Sequence, residues 1–222
     1  MWRGVIGMKK KTIIAVICAK NEDDTILDVV KNTKKYVDEV VVIDDGSNNP
    51  IKINMPGVHV VRNRINIGKG FSMRLGAAWT ADYHVFVDGD GQHNPEYIPR
   101  MIKLMNTGEF DMIKAYRCYY EMPIIKKIGN KGLSMIFQFL YGMFILDSQC
   151  GMKMYNKEGL KTLQQCKEDG YEIEIEQLIN AKKAKIRMHQ FPINVNYITK
   201  ETRPIHGLHI GWTMLKWRFM RW

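Results

Sequence analysis

The chain has 222 residues, 45% of them hydrophobic and 25% charged, enough for one sizeable core and unlike a disordered sequence. Its 33 Lys and Arg outnumber 23 Asp and Glu, a formal net charge of +10 that favours anionic partners such as phosphorylated metabolites or an anionic membrane surface. The basic residues are spread along the chain and form no known nucleic-acid reader motif, so nucleic acid is not an expected partner.

The elements follow in chain order. Thr12 to Ala19 is an apolar, β-branched run and predicts a strand covered on both faces. It is too short, and ends too abruptly in "KNEDD", for a secretory signal. In the next segment Ile26, Val29, Val30, Thr33 and Val37 share one helical face. Glu39 to Asp45 is a second strand, cut off by the turn formers "DGSNNP", and "GVHVVRN" a third. "NIGKGFSMRLGAAWTA" reads as a glycine-rich entry into a helix, and "YHVFVD" as a fourth strand. "NPEYIPRMIKLMN" opens a helix with Asn94 as cap and Pro95 at its first position. "FDMIKAY" is a fifth strand. Leu133 to Leu146 predicts an apolar helix of about 14 residues, short of the roughly 20 needed to cross a bilayer. Helices near "KEGLKTLQQC" and "GYEIEIEQLINAKKA" and a strand at "IRMHQFPINVNY" complete the chain. Cys18, Cys118, Cys150 and Cys166 lie too far apart for a zinc or redox motif and suit a reducing compartment.

Strands alternating with helices predict an α/β fold, a mostly parallel sheet with helices on both faces in a single domain over residues 1–205. Residues 206–222 form a C-terminal amphipathic helix at a membrane interface in this reading. Ligands of such sheets bind beyond the carboxyl ends of the strands. The clusters "KNE", "DDGS", "RNRINIGKG" and "DGDGQH" all follow strands and should gather along one edge.

In "VFVDGDGQHNPE", Asp88 and Asp90 end a predicted strand one residue apart. Two carboxylates so placed suit a hard divalent cation, Mg2+ or Mn2+, that keeps sites for water and phosphate. Gln92 offers a neutral oxygen. Asp44 and Asp45 could grip the base and ribose of a nucleotide. Gly68, Lys69 and Gly70 offer backbone N–H groups and one cation at a helix start, without the spacing of a Walker loop or a GxGxxG turn.

The ordered set "CAKNE", "VVIDDGS", "NIGKG", "VFVDGDGQHNPEYIP", "DSQCGMKMY" and "GYEIEIEQL" resembles the inverting glycosyltransferases of GT-A fold, nearest to the dolichyl-phosphate mannose synthase and polyprenyl-phosphate hexosyltransferase branch. The resemblance covers residues 10 to 204 and implies a Rossmann-like GT-A domain. It implies that Cys18, Ala19, Asn21 and Glu22 line the nucleotide base, with Lys20 where the family has tyrosine. Asp44, Asp45, Gly46 and Ser47 would hold the nucleoside. Asp88, Asp90 and Gln92 would hold the metal and the donor diphosphate. Arg117 would lie near the phosphates and Arg203 matches a later family arginine, although "RPIHGLHIG" departs from the family's Arg-x-x-Gly-x-Ser-Lys. The implied donor is a GDP- or UDP-linked sugar and the implied acceptor a polyprenyl or dolichyl phosphate, with Asp90 and Arg117 central to catalysis.

The acceptor decides whether a base is needed. A phosphate monoester is already an anion at neutral pH, its second pKa being about 6, whereas a sugar hydroxyl needs a carboxylate, for which Asp147, Glu174 and Glu176 are candidates. A saccharide-directed transferase, a nucleotidyltransferase and a catalytically dead scaffold therefore stand as alternatives. In "HIGWTMLKWRFMRW", Trp212, Leu215 and Phe219 fall on one helical face among cations. The expectation is a cytoplasmic protein in peripheral contact with the inner face of the membrane.

Overall fold

The computed structural model describes residues 10–118, 124–195 and 204–220. Strands β1 (Ile13–Ala19), β2 (Glu39–Asp44), β3 (Val58–Arg62), β4 (Tyr83–Asp88), β5 (Met112–Arg117), β6 (Lys153–Tyr155) and β7 (Met188–Ile193) form one sheet in the order β3-β2-β1-β4-β6-β5-β7. β1 pairs in parallel with β2 and β4, β2 with β3, and β5 with β7. β6 alone runs against its neighbours, joining β4 to β5. The carboxyl ends of β1, β2, β4 and β5 therefore share one edge.

The inner strands β1, β2 and β4 are buried on both faces, which explains their continuous apolar runs. Ile13, Ala15 and Ile17 of β1 face one layer with α1 (Ile26–Lys34) and α3 (Ile98–Met105). Ile14 and Val16 face the other, with α2 (Lys69–Gly76), α4 (Ile124–Tyr141), α5 (Lys157–Gln164), α6 (Ile173–Lys183) and α7 (Pro204–Met220). The period of two along the strand thus feeds two cores. Gly76 lets α2 lie on β1, because a Cβ there would come within 2.2 Å of Val16 Cγ1. Ile26, Val29, Val30 and Thr33 form the buried face of α1, as their spacing predicts.

Three elements differ from expectation. Asn94 does cap through its side chain, accepting from Glu96 N at 3.0 Å, but Pro95 opens a short 3-10 turn before α3 begins at Ile98. The apolar helix begins earlier than its apolar run, taking in Lys127 and Lys131, and stops at Tyr141 instead of Leu146. Gly142 ends it at φ +60°, its N–H donating to Gln138 O at 2.8 Å, a left-handed stop that favours glycine. "CGMKMY", to which the sequence reading assigns no element, supplies β6. α7 packs into the core beside α4: Ile210, Met214 and Trp217 are buried there, and Tyr141 Oη donates to Met214 O at 2.8 Å.

Candidate active site

The loop after β1 turns at Asn21, which takes φ +54°, a left-handed conformation that asparagine tolerates better than most side chains. Its N–H donates to Ser47 Oγ at 2.9 Å, and its Oδ1 accepts from Asn48 N at 2.8 Å, so the β1 and β2 loops are tied together. Glu22 O accepts from the N–H groups of Thr25 and Ile26 and starts the α1 turn. Asp44 is fully buried. Its carboxylate accepts from Ser47 N (2.9 Å), Ile51 N (3.2 Å) and Arg62 Nη1 (2.6 Å). Burial pushes its pKa up, but these bonds prevail and hold it below the ordinary range. Asp45 accepts from Asn63 Nδ2, Ile67 N and Gly68 N at 2.8, 2.9 and 2.8 Å. Both aspartates build the loops in this conformation, and Arg62, which sequence reasoning did not single out, holds the first of them.

The helix start at "IGKG" is also engaged. The N–H groups of Gly70 and Phe71 donate to Asp169 O at 2.6 and 3.3 Å. Arg74 clamps the same loop, with Nη1 donating to Glu168 O at 2.5 Å. A Cβ at Gly68 would lie 2.3 Å from Asp169 O, and one at Gly70 2.2 Å from Glu168 O. The two glycines therefore serve a close backbone approach. In this structure the amides of Gly70, one of the residues expected to face a ligand, and of Phe71 cap onto the α5–α6 loop.

Lys69 turns the other way, into the sheet edge. Its Nζ lies 2.8 Å from Asp88 Oδ1 and 3.0 Å from Glu174 Oε1. Burial lowers the pKa of this ammonium, but the two carboxylates raise it well above the ordinary value, so it stays charged. Glu174 is 1% exposed and continues inward, pairing with Lys153, which is 0% exposed, and accepting from Gln177 Nε2 at 2.8 Å. Burial raises the pKa of Glu174, but Lys153 first and Lys69 next bring it below the ordinary range. A line of alternating charge thus runs from Asp88 through Lys69 and Glu174 to Lys153. Lys114, one strand over, donates to Cys150 O at 3.1 Å; burial and then Lys153 push its pKa down to about 8.

Asp88 ends β4 opposite Cys18 of β1. Burial raises its pKa, but Lys69 and then His93 hold it well below the carboxylate range. His93 is itself buried, and burial lowers its pKa despite the acids nearby. Its Nδ1 accepts from Asp88 N at 3.4 Å, so the neutral ring presents Nε2 towards Cys150 Sγ, 3.9 Å away. Gly151 sits against the same carboxylate: a Cβ there would come within 2.2 Å of Asp88 Oδ2. Asp90 accepts from Gln92 N at 3.0 Å, while burial and then the Asp88 charge push its pKa up. Cys18 is no nucleophile, since burial pushes its thiol up to about 12.

Arg117 ends β5 and forks onto Asp147, Nε to Oδ2 at 2.7 Å and Nη2 to Oδ1 at 3.0 Å. Burial raises the Asp147 pKa, but Arg117 outweighs it and brings the acid down to about 2. Glu176 accepts from Lys167 N and Glu168 N, both at 2.8 Å. Cys18, Ala19, Asn21, Glu22, Asp44 to Ser47, Lys69, Asp88, Asp90 and Arg117 thus all stand at or just beyond one edge of the sheet. Arg203 lies outside the described residues.

The residues present fit a divalent ion completed by substrate. Asp88 and Asp90 offer hard oxygen ligands whose mutual repulsion a cation would relieve. Gln92 contributes its backbone N–H to Asp90. Among the described residues no group of three or more His, Cys, Asp or Glu could hold a metal by itself. Water and phosphate oxygens would supply the remaining ligands.

The same fold recurs in known proteins. Glucosyl-3-phosphoglycerate synthase from Mycobacterium tuberculosis, solved with phosphoglyceric acid, superimposes with a TM-score of 0.74, covering 95% of this chain and 80% of its own. At 23% identity that likeness speaks for the fold alone. In sequence, the UDP-N-acetylglucosamine–dolichyl-phosphate N-acetylglucosaminyltransferase of Methanococcus voltae is 32% identical over 242 residues, spanning 94% of this chain and 96% of its own. An uncharacterized protein of Methanocaldococcus jannaschii is 31% identical over 220 residues, covering 91% of this chain and 90% of its own. The model of the family described as Glycosyl transferase family 2 matches residues 14–164, the stretch that carries β1 through β6 and with them both aspartate pairs, Lys69 and Arg117. With fold, full-length relatives and family pattern in agreement, the chain belongs to glycosyl transferase family 2, as an enzyme of the GT-A fold.

Proposed function

We propose that this transferase moves a hexose, with inversion, from a nucleotide-diphosphate sugar to a polyprenyl phosphate. One observation carries the choice of acceptor. Each of the three carboxylates considered for deprotonating a sugar hydroxyl is committed: Asp147 to Arg117, Glu174 to Lys69 and Lys153, Glu176 to two backbone N–H groups. The same bonds and charges hold Asp147 and Glu174 at depressed pKa, which makes them weak bases. A phosphate monoester needs none of them, because it arrives as an anion. The Methanococcus voltae relative, named for transfer to dolichyl phosphate from a UDP-linked sugar, supports the same acceptor class and favours a UDP donor.

In this reading an acceptor phosphate oxygen attacks the anomeric carbon as the bond to the nucleoside diphosphate breaks. Asp88 and Asp90 would hold Mg2+ or Mn2+, which would neutralise charge developing on the diphosphate. Lys69 stays protonated beside them. Arg117, buttressed by Asp147, presents a fixed cation at the end of β5 for a phosphate group. Asn21, Asp44, Asp45 and Ser47 frame the nucleoside side of the edge, where Arg62 would have to be accommodated or moved.

The test offers UDP-N-acetylglucosamine, UDP-glucose and GDP-mannose, with Mn2+ or Mg2+, to a short-chain polyprenyl phosphate, and reads products by mass spectrometry. A glycosyl phosphoprenol is expected from one donor. Transfer to a saccharide hydroxyl, with none to the prenyl phosphate, would overturn the reading.

A further inference from the structure

Among the described residues, thirteen large apolar side chains are exposed, and nine of them lie on α4, on the turn after it, or on α7. They are not scattered. On α4, Ile124, Ile128, Met135 and Phe139 are spaced by four, seven and four residues, a single helical stripe opposite the buried Phe137 and Tyr141. On α7, Trp212, Leu215 and Phe219 form the outer stripe, while Ile210, Met214 and Trp217 pack inward against α4. Phe139 and Phe219 are 88% and 83% exposed, and Trp212 is 66% exposed. Two helices packed on each other thus both turn aromatic and aliphatic stripes to the outside. A patch of this kind on a polar protein marks a contact surface.

We infer that the α4–α7 face lies in the interface of an anionic membrane. Charge argues for lipid over a second copy of the chain. α4 and α7 contain no Asp or Glu, while α4 carries Lys127 and Lys131 and α7 carries Lys216 and Arg218. Two copies apposed through this face would bring like charges together, whereas anionic headgroups complement them. No helix among the described residues is long and apolar enough to cross a membrane, so the face rests on the bilayer without entering through it. The geometry also joins the face to the site. Phe144, 61% exposed, stands just past the end of α4, and three residues later Asp147 holds Arg117. A bilayer against α4 and α7 would therefore lie one short loop from the cation at the end of β5. That link rests on the lipid-phosphate reading; the membrane contact itself does not.

The experiment is flotation of the full chain with vesicles of phosphatidylcholine alone or mixed with phosphatidylglycerol, without nucleotide or polyprenyl phosphate. Binding to the anionic vesicles is expected, weakened by salt, and lowered roughly tenfold or more in F139S/F219S, two changes at exposed positions. Circular dichroism and thermal melting confirm that the variant is folded. The variant keeps its turnover of a water-soluble short prenyl phosphate, so failure of the acceptor reading would appear there and not in flotation. Absence of vesicle binding, equal binding by the folded variant, or a dimer in sedimentation that F139S/F219S dissolves would each overturn the inference.

Discussion

The inward half of the charge line offers a quantitative test. Lys153 and Glu174 are 0% and 1% exposed, and their charges face each other in the interior. Removing one partner of a buried pair costs about 3–5 kcal/mol, because the other is left uncompensated. After Lys153→Met, Glu174 keeps Lys69 Nζ at 3.0 Å and Gln177 Nε2 at 2.8 Å, which places that loss near the lower end, about 3 kcal/mol. Glu174→Gln preserves the shape but leaves Lys153 and Lys114 as neighbouring buried cations, and should cost about 4 kcal/mol. In the double variant both charges are gone, so the two losses should fall short of their sum by about 2–3 kcal/mol. For a chain of this length, 1 kcal/mol moves Tm by roughly 2–4 °C, so Lys153→Met alone should melt about 6–12 °C lower. Urea unfolding of the four proteins, followed by circular dichroism and tryptophan fluorescence, measures the cycle. Losses that add within about 0.5 kcal/mol would refute the coupling, and with it the idea that Lys153 fixes the group holding Lys69.

The remaining predictions concern the edge itself. Asp90→Ala should abolish the metal dependence of nucleotide binding in calorimetry and reduce turnover about 10²–10³-fold, the usual cost of losing one charge stabiliser. Gly151→Ala alters no charge, yet its methyl would meet Asp88 Oδ2, 2.2 Å from the ideal Cβ position. Nucleotide affinity with Mn2+ should drop at least tenfold while Tm changes little; unchanged affinity would show that Asp88 can move freely. Asp147, at about 2 in the folded protein against an ordinary 3.8, contributes about 2 kcal/mol that is fully present above pH 4 and is lost as pH falls towards 2. Arg117→Met should flatten that part of the stability–pH curve, read from urea midpoints between pH 2 and 6.

Much of the frame was legible because each signal was local. β1, β2, β4 and β5 announce themselves as apolar runs closed by polar turns, and their parallel order follows from the helices between them. That alone gathers Asp44, Asp88 and Arg117 at one edge. What escaped depends on burial, which periodicity does not report for polar residues. β6 has three residues, one of them a lysine, so nothing in "KMY" marks a strand inside a sheet. Glu174 and Glu176 stood as candidate bases, yet one closes a buried charge line and the other pins a loop. Asp44 stood out in "DDGS", but its dependence on Arg62, eighteen positions on, did not. Lys127 and Lys131 masked the first half of α4, whose apolar stripe needs only one side of the helix.

The placement of β6 has a consequence for how the chain acquires its shape. β4 and β5 are not hydrogen-bonded to each other; Met154 of β6 pairs with Val85 on one side and Ile113 on the other. Without residues 153–155, β3-β2-β1-β4 and β5-β7 would be two separate sheets. Joining them closes loops of long sequence separation, an entropic cost that must be met before the contacts return it. A strand of three residues thus holds the two parts of the sheet together, and the same strand buries Lys153 beneath the site.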